Sequence, residues 1–247
     1  MRTIARQRPA SARPGRAGNP HGTSVLKATQ QIRELIVHGR LSPGSWLIES
    51  ELCRRLGMSR TPVRSALFLL QREGFVVEQR NSAKSRMIVA PLTLADAGEL
   101  YPLIGCIEGL AGRCAAELPR KERKEIADSL EAINERLEQI ARDSSAAGAS
   151  IFDLDHEFHR IVIGAGAGPR LKGMHQAVEL QAERYWRLYS SANLKDLRSS
   201  VSEHGDVISA LRRGAADKVE QALRVNWDNG YRRLAKLIAA SGERGNW

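Results

Sequence analysis

The chain has 247 residues with 38 Lys or Arg against 28 Asp or Glu, a net charge of +10 at pH 7. Its 42 % hydrophobic and 27 % charged residues describe a globular chain and exclude wholesale disorder. No run approaches the ~20 apolar residues of a membrane helix, so no membrane partner is expected. Cys53, Cys106 and Cys114 show neither an even count nor a close metal spacing, which fits a reducing cytoplasm. The N-terminus is charged without the apolar core of a secretory signal.

The charge is unevenly placed. Residues 1 to 90 hold 16 Lys and Arg against 5 Asp and Glu, and the remainder 22 against 23. Two units are expected, a basic one suited to a polyanion and a nearly neutral one with another task. Residues 1–22 carry Arg2, Arg6, Arg8, Arg13 and Arg16, no acid, and several Pro, Gly and Ser. They predict a flexible basic arm, either a plain solvated tail or a nonspecific anchor on phosphates.

Residues 23–90 predict a winged helix. Thr23 or Ser24 can cap a helix whose apolar positions Val25, Ala28, Ile32, Leu35 and Ile36 recur until Gly39. The turn Leu41-Ser42-Pro43-Gly44 leads to a short helix over Glu49–Leu56, closed by Gly57. Ser59 can cap a third, from Arg60 through Gln71. Phe75–Val77 and Met87–Ala90 then read as two short strands around the polar span Glu78–Arg86.

Residues 91–240 predict an all-helical bundle, which makes the chain mainly α. Helices are expected from Thr93 to Glu117, Pro119 to Arg142, Ile151 to Ile163, Pro169 to Tyr189, Leu194 to Arg212 and Ala215 to Ala240. Ser144–Ser150 reads as a loop, and so does Gly164–Gly168, whose glycine spacing is wrong for a dinucleotide site. Residues 241–247 form a tail.

The most informative stretch is Leu56 to Leu67. Arg60 and Arg64 lie four apart near the start of the third helix and project from one face, where a recognition helix meets base edges and phosphates. Val63, Ala66, Leu67 and Leu70 take the other side. In the helical unit, Asp155 and His159 fall together on one flank of the stripe Ile151, Leu154, Phe158 and Ile161. With His204 from a distant helix they can hold one metal ion; the competing reading is a hydrogen-bonded Asp–His pair. His156 and His175 read as ordinary surface or packing residues, and Tyr185, Trp186 and Tyr189 as core or as the wall of an effector cavity.

Leu41-Ser42-Pro43-Gly44, Glu51-Leu52 and Ser59-Arg60-Thr61-Pro62-Val63-Arg64 resemble the GntR family of bacterial transcription regulators. Residues 92–238 look like the helical FCD-type ligand-binding domain of its FadR branch, at Glu108-Gly109-Leu110-Ala111, Asp155–His159, Glu203-His204 and Ile208–Leu211. The resemblance implies a cytoplasmic homodimer that binds a double-stranded, palindromic operator and represses, with release or re-orientation by a small carboxylate effector. Arg60 and Arg64 are then expected on guanines and phosphates, Ser59 and Thr61 on backbone, and Arg80 or Lys84 at a wing that lacks the usual glycine. Asp155, His159 and His204 match the family's ligands for a divalent metal, zinc or nickel, while Asn226 stands where a third His is usual. Ile104 stands where many members have Arg. The alternatives are a metal-dependent enzyme using Asp155, His159 and His204, and nonspecific nucleic-acid architecture.

Overall fold

The computed structural model describes residues 20–81, 84–142, 148–189 and 197–245. They form α1 (Pro20–Val37), α2 (Glu49–Leu56), α3 (Arg60–Arg72), β1 (Val76–Asn81), β2 (Lys84–Val89), α4 (Leu94–Ala116), α5 (Arg120–Arg142), α6 (Gly148–Gly166), α7 (Pro169–Tyr189), α8 (Leu197–Arg213) and α9 (Ala216–Ser241). The mainly helical class is as expected. Most of the expected arm lies outside the described residues. Helix α1 begins at Pro20, ahead of the expected Thr23 cap, because proline's fixed φ suits a first helical position.

In the N-terminal unit, Ala28, Ile32 and Ile36 of α1 meet Leu52 of α2 and Val63, Ala66, Leu67 and Leu70 of α3 over Phe75, Val76 and Val89. Gly57 ends α2 at φ +63°, which turns the chain tightly into α3. The strands pair antiparallel from Val76↔Val89 to Asn81↔Lys84 and are longer than expected. The added pairs beyond Val77↔Ile88 are built mostly of polar residues, with Glu78, Arg80, Ser85 and Arg86 exposed, so that part of the ladder leaves no apolar signature. The segment around Trp46 adds a further edge, with Trp46 bridged to Ile88 and Leu47 N–H donating to Met87 at 2.9 Å.

In the C-terminal unit α4 packs against α9, α6 and α7. Its start follows the sequence closely, the Thr93 hydroxyl accepting from Asp96 N–H at 3.1 Å. The loop expected at Gly164 is instead the last turn of α6, which continues to Gly166. There α6 lies directly on α4, and a side-chain carbon at Gly166 would overlap the Ala111 carbonyl. Glycine at that position serves close packing of two helices.

Helix α7 also joins the two units. Gln181 donates to the Glu73 carbonyl, just past the end of α3, at 2.7 Å, and Arg184 donates to the Ala90 carbonyl just past β2. The segment expected as a tail pairs with the linker, Leu92 N–H donating to Arg244 at 2.8 Å and Arg244 N–H to Leu92 at 3.1 Å.

Candidate functional site

Two sites emerge, one on each unit. On α3, Ser59, Arg60, Thr61 and Arg64 are all exposed while Pro62, Val63, Ala66 and Leu67 are buried. Ser59 occupies the cap position in extended conformation but makes no side-chain cap bond. The first amides of α3 therefore stay open to an anion, which a helix N-terminus favours. Arg64 is held by Glu49, the first residue of α2, through Nε–Oε1 and Nη2–Oε2 contacts of 2.9 Å each. The hydrogen-bonded guanidinium keeps the Glu49 carboxyl below its usual range. This fork aligns Arg64 across the turn, a role for Glu49 that periodicity does not show.

On the wing, Arg80 is 82 % exposed and lies 3.4 Å from Glu78. The turn at residues 82–83 and the Lys84 side chain lie outside the described residues. Sequence reasoning missed Arg86, whose guanidinium sits 3.7 Å above the ring of the exposed Trp46. Stacking on an aromatic face fixes an arginine without using up its hydrogen-bond donors.

The second site is inside the bundle. Asp155 and His159 stand one turn apart on α6, and His204 reaches them from α8; ligand atoms of the three lie within 4.8 Å of one another. His204 Nε2 is 3.6 Å from Asp155 Oδ1, beyond a hydrogen bond. His204 is fully buried, and among the described residues both its ring nitrogens are without hydrogen-bond partners. Its ring stacks on Phe158 with centroids 3.8 Å apart. Burial and the neighbouring His159 hold the His204 pKa well below the usual imidazole value, so the ring is neutral. Burial raises the Asp155 carboxyl. Orphaned buried nitrogens facing a carboxylate and a second imidazole are what a cation site demands of its ligands.

Asn226 of α9 lines the same cavity. Its Nδ2 donates to Glu203 at 2.8 Å, which leaves its carbonyl oxygen as the free end. Glu203 also accepts from Asn229 at 3.0 Å and from both arms of Arg233 at 2.8 and 3.1 Å. The cavity has about 50 Å³ of room. Tyr101, Tyr185, Trp186, Tyr189 and Arg233 close it, so the aromatic trio serves as wall and core together. That space suits an ion with a few ligand atoms.

Beneath this cluster lies a network with no periodic signature. Glu108 of α4, 1 % exposed, accepts from His159 Nδ1 at 2.5 Å, His175 Nε2 at 2.9 Å and Trp227 Nε1 at 2.8 Å. Burial alone would raise its pKa, but the two imidazoles pull it down to about 2. His175 is corrected here: it is 3 % exposed, and its bonds to Glu108 and Glu179 outweigh burial and raise its pKa to about 9. His156 likewise contacts Glu179, at 3.4 Å. With Glu108 and Glu203 each bonded to three side chains, neither is a free base for hydrolytic chemistry.

Two family models match. One described as "Bacterial regulatory proteins, gntR family" covers residues 25–84 and one described as "FCD domain" covers 99–229. The protein named "Probable D-xylose utilization operon transcriptional repressor" of Paenarthrobacter nicotinovorans is 32 % identical over 197 residues, 78 % of this chain and 82 % of its own. The HTH-type transcriptional repressor RspR of Escherichia coli K12 is 24 % identical over 194 residues, 78 % of this chain and 80 % of its own. Among solved structures, E. coli McbR/YncC superposes with a TM-score of 0.63 at 21 % identity, over 86 % of this chain and 97 % of that one, which shows a shared fold.

Proposed function

This chain belongs to the gntR family of bacterial regulatory proteins, with an FCD domain, and on that premise we propose how a DNA-reading unit and a metal-dependent ligand site work together in it. It is a DNA-binding transcription regulator. Reading is assigned to Arg60 and Arg64, with Ser59, Thr61 and the open amides of α3 on phosphates and Arg80 on the wing. The observation that carries this is the exposed quartet on a helix whose other face is core.

The regulatory site is assigned to Asp155, His159 and His204, with the Asn226 carbonyl as a fourth, weaker ligand. It rests on the orphaned nitrogens of His204. A divalent ion such as zinc or nickel would supply positive charge and open positions for a small carboxylate effector. In the cytoplasm, a homodimer would then set two α3 helices in successive major grooves of a palindromic operator and repress. The effector acts by its differential affinity for two arrangements of the DNA-binding units. No helix among the described residues is long and apolar enough to cross a membrane.

The experiment selects DNA from a random library with the purified protein, then compares variants on the selected site. Arg64→Ala is expected to weaken binding by about 1–3 kcal/mol or more while zinc uptake persists. The double variant Asp155→Ala, His204→Ala is expected to lose the metal found by elemental analysis. Wild-type DNA affinity in the first, or unchanged metal content in the second, refutes the corresponding half.

A further inference from the structure

We infer that Glu108, backed by His175, is the positioning residue of the metal centre: it fixes which nitrogen of His159 is offered to the ion. The inference rests on the metal reading above. A carboxylate accepts hydrogen bonds, so the 2.5 Å contact between Glu108 Oε2 and His159 Nδ1 requires the proton on Nδ1. The lone pair then belongs to Nε2, the ring nitrogen left for the group formed with Asp155 and His204. Trp227 Nε1, which only donates, ends 2.8 Å from the same oxygen and confirms it as an acceptor. His175 Nε2 holds the other oxygen at 2.9 Å, and its own Nδ1 lies 3.5 Å from Glu179 one turn on.

Core packing gives no reason for this carboxylate. Burying a carboxylate carries a desolvation penalty, which an apolar side chain of similar size on α4 would avoid. The three donors offset that cost, and they come from α6, α7 and α9, so the carboxylate joins four helices at one point. The network ends on the ring of a ligand. An outer partner of this kind, a carboxylate on the far nitrogen of a ligating imidazole, orients the ring and raises its basicity.

The test uses the full chain and zinc alone, with affinity measured by competition against a chromophoric chelator. Glu108→Gln keeps the shape but turns an amide toward donors, which favours the His159 tautomer with its proton on the ligand nitrogen. Zinc affinity should fall by about 10–100-fold. Long-range ¹H–¹⁵N spectra of the zinc-loaded wild type should show a proton on His159 Nδ1 and metal on Nε2. Metal on Nδ1 overturns the inference, as does wild-type zinc affinity in a Glu108→Gln protein that keeps its helix content and DNA binding. Should that variant not fold, His175→Gln touches no ligand and is expected to weaken zinc by at least about threefold; unchanged affinity there overturns the inference equally. A wild type that takes up no zinc defeats the metal reading itself, and does so before any variant is compared.

Discussion

Replacing His204 by Phe should stabilise this protein in a chelator and destroy its response to zinc. The neutral imidazole is fully buried with one donor and one acceptor unpartnered. Each such group costs about 1–3 kcal/mol. Phenylalanine keeps the flat ring stacked on Phe158 and removes both groups. Its larger ring crowds the Asp155 side, at about 1–3 kcal/mol for overpacking. Taken at their centres, about 4 kcal/mol for the two groups less about 2 for crowding, these favour the variant by about 2 kcal/mol, each kcal/mol being about 2–4 °C in Tm for a chain of this size. Zinc at 100 times its Kd adds about 2.7 kcal/mol to the wild type and nothing to a variant that cannot bind it. Thermal unfolding followed by circular dichroism, in chelator and in excess zinc, should therefore show the order of the two proteins reverse. A variant that melts lower in chelator, or that gains as much from zinc as the wild type, refutes the reasoning.

The remaining predictions concern α7 and the buried pair it helps to build. Gln181→Leu removes the bond to the Glu73 carbonyl and should change overall stability by about 1 kcal/mol or less. It should also shrink the difference in DNA affinity between zinc-loaded and zinc-free protein, read by fluorescence anisotropy; an undiminished difference shows that the signal does not pass this way. For pH, the raised pKa of His175 means its stabilising contribution is full below the ordinary value of 6.5 and is lost as pH rises through about 9. Glu108, pulled down to about 2, contributes above its ordinary 4.5 and loses that as pH falls toward 2. Tm should decline on both sides, and His175→Gln should flatten the alkaline limb between pH 6.5 and 9; a wild-type Tm constant over that range refutes the assignment.

What could be read from the sequence was local. The Thr93 cap, the glycine turn before α3 and the Pro169 start of α7 each depend on a few neighbouring residues, and each is where it was expected. Asp155 and His159 were visible as a pair because four residues make one helical turn. The largest failures involve a partner distant in sequence. Gly164–Gly166 looked like a loop because the reason for glycine at Gly166 is α4, about 50 residues earlier, pressing on the same backbone. Ser59 looked like a cap from its type and position, yet the helix end it occupies is left open.

His175 shows why the buried network was invisible. Its partner Glu108 is 67 positions away, and neither residue breaks the pattern of its own helix. Helix α7 gave no warning either, because periodicity reports a buried face only when the opposite face is wet. From Ala182 to Tyr185 four consecutive residues are buried, so nearly every side of that turn is covered. His175 and Gln181 are six residues apart and point about 120° away from each other at ~100° per residue. One addresses the Glu108 network and the other the end of α3. A helix covered on several sides cannot shift against one neighbour without disturbing the others. On the proposed function, a change in how Glu108 is held is therefore expected to be felt at Glu73, which makes α7 the route to test for coupling between the metal site and DNA binding.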